Sequence, residues 1–356
     1  MASRRRLRRI GRLPEMVAAL AAADRELFDR LFSVSVSEGR LRAPESMRGW
    51  LEDRFGSAKA VERQTVVRVT NRWTLEEAVF NPLRARRPQA PAKEPPAAGE
   101  DPLSRPLELT PEDTFGRIEG EHCLTAANVA RAAAWHGLIV LREPDSLAFT
   151  RESVRDCLET ARRWWQAAHE QDAEAVYPLL FWNCGVAAGA SLGHAHMQVA
   201  LARSRHFGAV ERLRAAAEEY RARNGADYFR DLVRAHAALG LAFIYEGAAV
   251  LASLAPARER EIMIIAPSIE EGMAEAVYTT LACYRDRLSV RAFNLALFGP
   301  PLVEGDEDWR RFPFVARLVE RGAADVGALE LFAAAVVSHD PFELAEALAA
   351  ELEVKP

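Results

Sequence analysis

The chain has 356 residues, of which 49% are hydrophobic and 27% charged, and its net charge at pH 7 is −5. This composition is typical of a globular protein with one large domain or two smaller ones, and the negative charge argues against a protein that mainly binds nucleic acid. The sequence has no apolar run of roughly 18 residues, no signal-peptide arrangement and no C-x-x-C pair among its four cysteines, so we expect a cytoplasmic protein without membrane spans or disulfides.

The sequence pattern predicts helices, then a strand, and then a proline-rich loop in roughly the first hundred residues. Apolar residues at helical spacing predict an amphipathic helix over residues 14–35, and "ESMRGWLEDRFG" predicts a second, shorter helix that ends at Gly56. The stretch "RQTVVRVTNRWT" alternates and is rich in Val and Thr, which predicts a strand. Seven prolines between Pro88 and Pro111 then predict a long surface loop without regular structure.

Strands and helices alternate through the rest of the chain. The predicted strands are "HGLIVLRE", "PLLFWNCG", "GHAHMQVALA", "AFIYEG", "EIMIIAPS" and "RAFNLALFGPP". The predicted helices are "RESVRDCLETARRWWQAAHEQDA", residues 207–240, "MAEAVYTTLACYRDRL", "ALELFAAAVV" and "FELAEALAAELE". The strand–helix–strand arrangement recurs, so we predict an α+β fold built as two related halves.

We divide the chain into three segments on this basis. Residues 1–60 form an N-terminal helical extension, residues 61–205 form the first half, and residues 206–356 form a second half that has lost the polar motif described next.

The motif is the alternation of His194, His196 and Gln198 in an otherwise apolar strand. In a strand these three side chains share one face, and buried polar side chains need partners. Three uses fit: metal binding, nucleophilic attack on phosphorus by one imidazole, or two histidines hydrogen-bonded inside a core. Upstream, "NCGVAAGAS" supplies glycines that permit convergent backbone N–H groups, together with an amide and a hydroxyl, which suits a diphosphate.

The whole stretch "FWNCGVAAGASLGHAHMQ" closely resembles the active-site segment of galactose-1-phosphate uridylyltransferase and its relatives in the histidine-triad (HIT) superfamily. The matching positions are Asn183, Gly189, Ser191, His194, His196 and Gln198. The resemblance implies a HIT-like fold of two related antiparallel-sheet halves with packed helices.

Two earlier segments extend the resemblance. "NPLRARRP" is similar to the family's Arg-x-x-Arg-Pro segment, which implies phosphate contacts for Arg84 and Arg87. "TAANVARAAAWHGLIVL" is similar to the segment that binds base and ribose, where Asn128 matches. Val129 stands where uridylyltransferases usually have an acid, so the base stays open. For His136, in the same segment, a structural role is the favoured reading.

The resemblance implies transfer of a nucleoside monophosphate through a nucleotidyl-histidine intermediate on His196, with Gln198 holding the phosphoryl group. The most similar activity is that of hexose-1-phosphate uridylyltransferase, and the alternative is a nucleotide phosphorylase of the diadenosine tetraphosphate phosphorylase kind. A HIT-type hydrolase is less consistent, because such enzymes generally carry a further histidine at the position of Gln198.

The expected partners are a nucleotide or nucleotide-sugar and a phosphorylated acceptor, with a homodimer by analogy and with no nucleic acid or membrane. In several uridylyltransferases the first histidine of the pair helps to hold structural zinc beside a C-x-x-C. Because that motif is missing, we expect no metal and no required cofactor, and we expect His194 to hydrogen-bond near the nucleophile.

Overall fold

A computed structural model describes residues 9–86, 101–270, 272–305, 307–322 and 333–354. The strands are β1 (Phe32–Arg40), β2 (Arg63–Asn71), β3 (Glu77–Phe80), β4 (Cys123–Ala127), β5 (Trp135–Asp145), β6 (Ala175–Cys184), β7 (His194–Arg203), β8 (Ala242–Tyr245), β9 (Ala248–Ala252), β10 (Ile262–Ala266), β11 (Phe293–Phe298), β12 (Phe314–Glu320) and β13 (Ala334–Val337). The α-helices are α1 (Leu13–Ala18), α2 (Ala22–Leu31), α3 (Arg48–Phe55), α4 (Ala58–Glu62), α5 (Pro106–Leu109), α6 (Arg151–Gln171), α7 (Gly208–Asn224), α8 (Tyr228–Ala238), α9 (Met273–Ala282) and α10 (Pro341–Glu351). Among the described helices, none combines the length and apolar character needed to cross a bilayer.

A nine-stranded sheet with the order β4-β5-β7-β6-β11-β12-β10-β9-β8 forms the centre of the fold. All of its neighbouring strands are antiparallel. The elements β4, β5, α6, β6 and β7 follow one another in the chain, and β9, β10, α9, β11 and β12 repeat the same order. The two units join where β6 pairs with β11. This topology confirms the predicted α+β fold of two related antiparallel halves.

A second sheet, with the order β1-β2-β3-β13, draws strands from all three predicted segments. The prediction of one helix over residues 14–35 is wrong, because α1 and α2 are separate helices and β1 begins at Phe32. From that residue the sequence "FSVSVS" has a period of two, and β1 pairs with β2 along its whole length. Within the described part of the N-terminal extension, the helical segments lie between residues 10 and 31 and between residues 45 and 62.

Two further predictions need correction. "ALELFAAAVV" was expected to be helical, but Ala334–Val337 forms β13, parallel to β3, and residues 323–332 lie outside the described residues. The contacts of Val336 with Val79 and of Val337 with Phe80 across the sheet outweigh the helical preference of the alanines. The prediction of a loop without regular structure from Pro88 to Pro111 lies up to residue 100 outside the described residues, and beyond it residues 102–104 form a 3₁₀ turn and α5 follows. Both begin with proline in the first turn, where its missing N–H is not needed.

Helix α6 fixes the orientation of the strand that carries the histidines. Its capping box joins Thr150 and Ser153, and its buried residues recur at helical spacing and include Trp164 and Trp165. A Cβ at Gly137 of β5 would lie 3.1 Å from the Trp164 ring, so glycine permits the close approach of helix and sheet. The side chains of β7 that pack in the core on this side are buried: Ala195, Met197, Val199 and Leu201. The opposite face of β7 carries His194, His196 and Gln198, and this side of the sheet is called the polar-row face.

In the second half of the sheet, that same polar-row face is covered by protein. Sheet pairing places Gln198, Phe181, Ala296 and Arg317 side by side in one row. Glu76 in the β2–β3 turn forms an ion pair with Arg317, and Glu76 lines a small cavity together with Tyr228 of helix α8 and Met263 of β10. The Asn71 amide donates to the Tyr228 hydroxyl at 2.7 Å and joins β2 to helix α8. The polar-row face is thus filled by packing in the second half.

Candidate active site around His196

The His196 ring is held in one tautomer by its own strand. Its Nδ1 lies 2.8 Å from the carbonyl oxygen of His194, and a carbonyl can only accept, so the hydrogen is on Nδ1. Nε2 then carries a lone pair, and it has no hydrogen-bond partner among the described residues. The residue is 7% exposed, and burial lowers the pKa of His196 below its ordinary value. The geometry is that of a neutral imidazole with one free nucleophilic nitrogen.

His194 lies two residues before His196 on β7 and hydrogen-bonds through both ring nitrogens. Nδ1 is 2.9 Å from a carboxylate oxygen of Asp101, and Nε2 is 2.9 Å from the carbonyl oxygen of Leu141. Both partners are acceptors, so His194 satisfies both only when each ring nitrogen carries a hydrogen. Within the described ranges, no group of three or more His, Cys, Asp or Glu side chains is arranged to hold a metal ion.

Asp101 connects His194 to the segment that follows the proline-rich stretch. Its other carboxylate oxygen accepts from the backbone N–H of Leu103 at 3.0 Å and caps the 3₁₀ turn. Leu103 is 2% exposed and packs with Ala126 and Val140 in a small cluster beside the site. The segment around residue 101 therefore forms one wall of the site, a contribution that the sequence analysis did not predict.

Replacing Asp101 by alanine should lower the free energy of unfolding by about 1–2 kcal/mol, because one hydrogen bond to a charged partner and one turn cap are lost. Asp101→Asn should recover most of the difference, since its oxygen can still cap Leu103 and its amide can donate to a neutral His194. Urea unfolding of the three proteins measures both effects. Equal urea midpoints for wild type and Asp101→Ala would show that the two hydrogen bonds of the Asp101 carboxylate contribute nothing to the free energy of unfolding.

Gln198 is the centre of a second hydrogen-bonded group. Its side-chain oxygen lies 3.0 Å from Nε2 of His136 and 3.5 Å from the Asn128 amide nitrogen. The Asn128 oxygen accepts from the backbone N–H of Ala130. The structure thus brings the predicted Asn128 to the His–Gln strand, and it adds His136, for which the sequence favoured a purely structural role.

The glycine-rich loop is anchored from the second half of the sheet. The Asn294 amide donates at 2.8 Å to the Asn183 side-chain oxygen and at 2.8 Å to the carbonyl of Ala188. Gly185 and Gly189 have φ values of +85° and +91°, which favour glycine. A Cβ at Gly185 would also lie 3.1 Å from the Ala292 Cβ. Asn294 was missed by the sequence analysis, although an asparagine inside the apolar strand "FNLALF" is a usable signal.

Gly189 and Ser191 are exposed on this loop, ahead of the first residue of β7. Ser191 has no hydrogen-bond partner among the residues described, so its hydroxyl is available to a ligand. The predicted residues His194, His196, Gln198, Asn128, Asn183, Gly189 and Ser191 therefore belong to one region of the fold.

Of the two predicted phosphate-binding arginines, the structure describes Arg84. Arg84 lies in the 3₁₀ turn 82–86, whose preceding residue Asn81 bonds to Gln64 and to the carbonyl of Val337 on the four-stranded sheet. Arg87 lies outside the described residues.

Comparison with known proteins relates this fold to solved structures. No family model and no curated protein matches the sequence. An ADP-glucose phosphorylase from Arabidopsis thaliana, solved with bound ADP-glucose, is 16% identical, with a TM-score of 0.62 over 81% of this chain and 98% of that chain. A GalT-like protein from the same plant is 17% identical, with a TM-score of 0.57 over 75% of this chain and 94% of that one.

A uridylyltransferase is 16% identical, with a TM-score of 0.58 over 81% of this chain and 98% of its own. At these identities the likeness concerns the fold. The chain therefore has the fold of the galactose-1-phosphate uridylyltransferase-like proteins, which is the fold that the sequence resemblance implied.

Proposed function

We propose that the protein is a nucleotidyltransferase that moves a nucleoside monophosphate through a covalent intermediate on His196. The observation that carries the proposal is the hydrogen bond from His196 Nδ1 to the carbonyl oxygen of His194, which leaves the Nε2 lone pair without a partner among the described residues. A buried neutral imidazole of this kind is a nucleophile at neutral pH without the help of a separate base.

The reaction has two displacements. Nε2 attacks the α-phosphorus of a nucleoside diphosphate derivative, the P–N bond forms, and the bond to the leaving phosphate oxygen breaks with its electron pair. An oxygen of a second phosphorylated substrate then attacks the same phosphorus, and His196 leaves as neutral imidazole. In this scheme Gln198 and Ser191 donate hydrogen bonds to the phosphoryl oxygens, and the glycine loop adds backbone N–H groups.

The acceptor distinguishes two candidate activities. A sugar 1-phosphate acceptor gives a hexose-1-phosphate uridylyltransferase-like reaction, to which the Arg84-x-x-Arg87-Pro resemblance points. Inorganic phosphate gives a nucleotide phosphorylase. Two observations favour this second activity: one structure of the same fold is an ADP-glucose phosphorylase, and Val129 replaces an acid at a position that is 86% exposed beside the site.

Intact-mass spectrometry on the purified protein tests the proposal. The protein is incubated separately with UDP-glucose, ADP-glucose and diadenosine tetraphosphate, and then chased with phosphate, glucose 1-phosphate or galactose 1-phosphate. We expect one nucleotidyl group per chain from the correct donor, labile to acid and stable to alkali, and removed by the correct acceptor. Product formation without any covalent adduct would overturn the two-step mechanism, and release of the nucleotide into water alone would indicate hydrolysis.

A further inference from the structure

His136 is a buried histidine that the proposed chemistry does not use. It lies on β5, next to the strand that carries Gln198, and it is 4% exposed. Its ring packs 5.9 Å from the ring of Phe181, which pairs with Gln198 on the other side. The ring therefore lies directly beside Gln198, on the polar-row face of the sheet.

The hydrogen bonds of His136 fix which nitrogen carries its hydrogen. Nδ1 lies 3.0 Å from the backbone N–H of Ala132, so Nδ1 accepts and is unprotonated. Burial lowers the pKa of His136, so the ring is neutral near pH 7. The remaining hydrogen is on Nε2 and points to the Gln198 side-chain oxygen 3.0 Å away.

A primary amide has one accepting and one donating end, and this contact assigns them. Because the oxygen of Gln198 faces the donors of His136 and Asn128, its NH₂ group faces away from them. The reversed amide would place NH₂ against two donors, which leaves buried N–H groups without acceptors. The Gln198 amide thus has one favoured orientation.

We propose that His136 is a positioning residue that holds the Gln198 amide with its NH₂ group directed at the phosphoryl group in transfer. The inference rests on the proposed function, in which that group is the electrophile. His136 touches neither substrate nor phosphorus in this scheme and acts through Gln198 alone. The β4–β5 loop contributes through Ala132, whose N–H selects the tautomer.

Two substitutions at residue 136 separate this role from packing. Phenylalanine keeps a ring against Phe181 but has no donor, whereas glutamine places an N–H close to the position of the histidine Nε2–H. We expect His136→Phe to lower the single-turnover rate constant of adduct formation by about 10- to 100-fold, with donor affinity changed by less than about threefold. His136→Gln should restore most of the rate. The matched control is His169→Phe on α6, away from the site, which should leave the rate unchanged.

The orientation can also be observed without turnover. The side-chain amide of Gln198, assigned by its absence in Gln198→Leu, should give a distinct ¹⁵N–¹H pair in wild type and in His136→Gln, and a shifted or broadened pair in His136→Phe. Unchanged resonances and an unchanged rate in His136→Phe would overturn the inference while wild-type labelling still supports the proposed function. If wild type forms no adduct, the proposed function fails, and the amide resonances alone decide whether His136 orients Gln198.

Discussion

Replacing His196 by alanine should abolish the covalent nucleotidyl adduct and lower overall transfer by about 10⁴- to 10⁶-fold, the range seen when a covalent nucleophile is removed. The other imidazoles on this face are those of His136 and His194. Both ring nitrogens of His136 are bonded, to the Ala132 N–H and to the Gln198 oxygen. Both ring nitrogens of His194 are already bonded to Asp101 and Leu141. Intact-mass spectrometry and product assays on the variant measure the two effects.

The control for this variant is Met197→Leu, one residue along the strand but buried on the opposite face. A substitution of similar volume there should cost less than about 1.5 kcal/mol and leave the adduct intact. An adduct that persists in His196→Ala would place the nucleophile elsewhere and would refute the mechanism.

The pH dependence of adduct formation follows from the lowered pKa of His196. A base with a depressed pKa stays unprotonated at pH values where a free histidine, with a pKa of about 6.5, would be half protonated. The rate of labelling should therefore fall to half of its value at pH 8 only at a pH below 6.5. Quench-flow measurements with the protein shown to be folded at each pH test this, and a fall centred at or above 6.5 would contradict it.

The largest effect on stability is expected at Arg317 of β12. Its guanidinium lies 2.5 Å from a carboxylate oxygen of Glu261, which is 1% exposed, and 2.6 Å from Glu76. Arg317→Met would leave the Glu261 carboxylate buried without its ionic partner, which typically costs about 3–5 kcal/mol. Chemical unfolding of the variant at neutral pH measures the loss.

Two further variants sharpen this prediction. Adding Glu261→Gln to Arg317→Met should restore part of the stability, because the buried group is then neutral. Arg162→Met removes an exposed pair with Glu159 on α6 and should cost less than about 1 kcal/mol. Similar losses for Arg317→Met and Arg162→Met would show that the buried pair has no special role.

The sequence was sufficient to predict the strand that carries His196 and the residues that share its face. The alternation of His194, His196 and Gln198 with apolar residues is a local pattern, and strand geometry turns it directly into two faces. The glycine-rich loop was likewise visible, since its glycines and polar residues lie within one short segment.

Partners that are distant in the chain were not predictable in the same way. His136 meets Gln198 across 62 residues, and Asp101 meets His194 across 93. Such contacts depend on the register between strands and on the path of connecting segments, which periodicity does not encode. The prediction of a helix in the alanine-rich stretch "ALELFAAAVV" was wrong for a related reason, because pairing of β13 with β3 outweighs the helical preference of alanine.

The Asn294–Asn183 contact means that the second half of the chain holds the glycine-rich loop of the first half in place. A truncated protein ending after β7 would expose the whole edge of β6 and release the loop that Asn294 ties down through Asn183 and Ala188. A fragment reduced to the first half should therefore be prone to aggregation unless a new strand or a second fragment pairs with that edge.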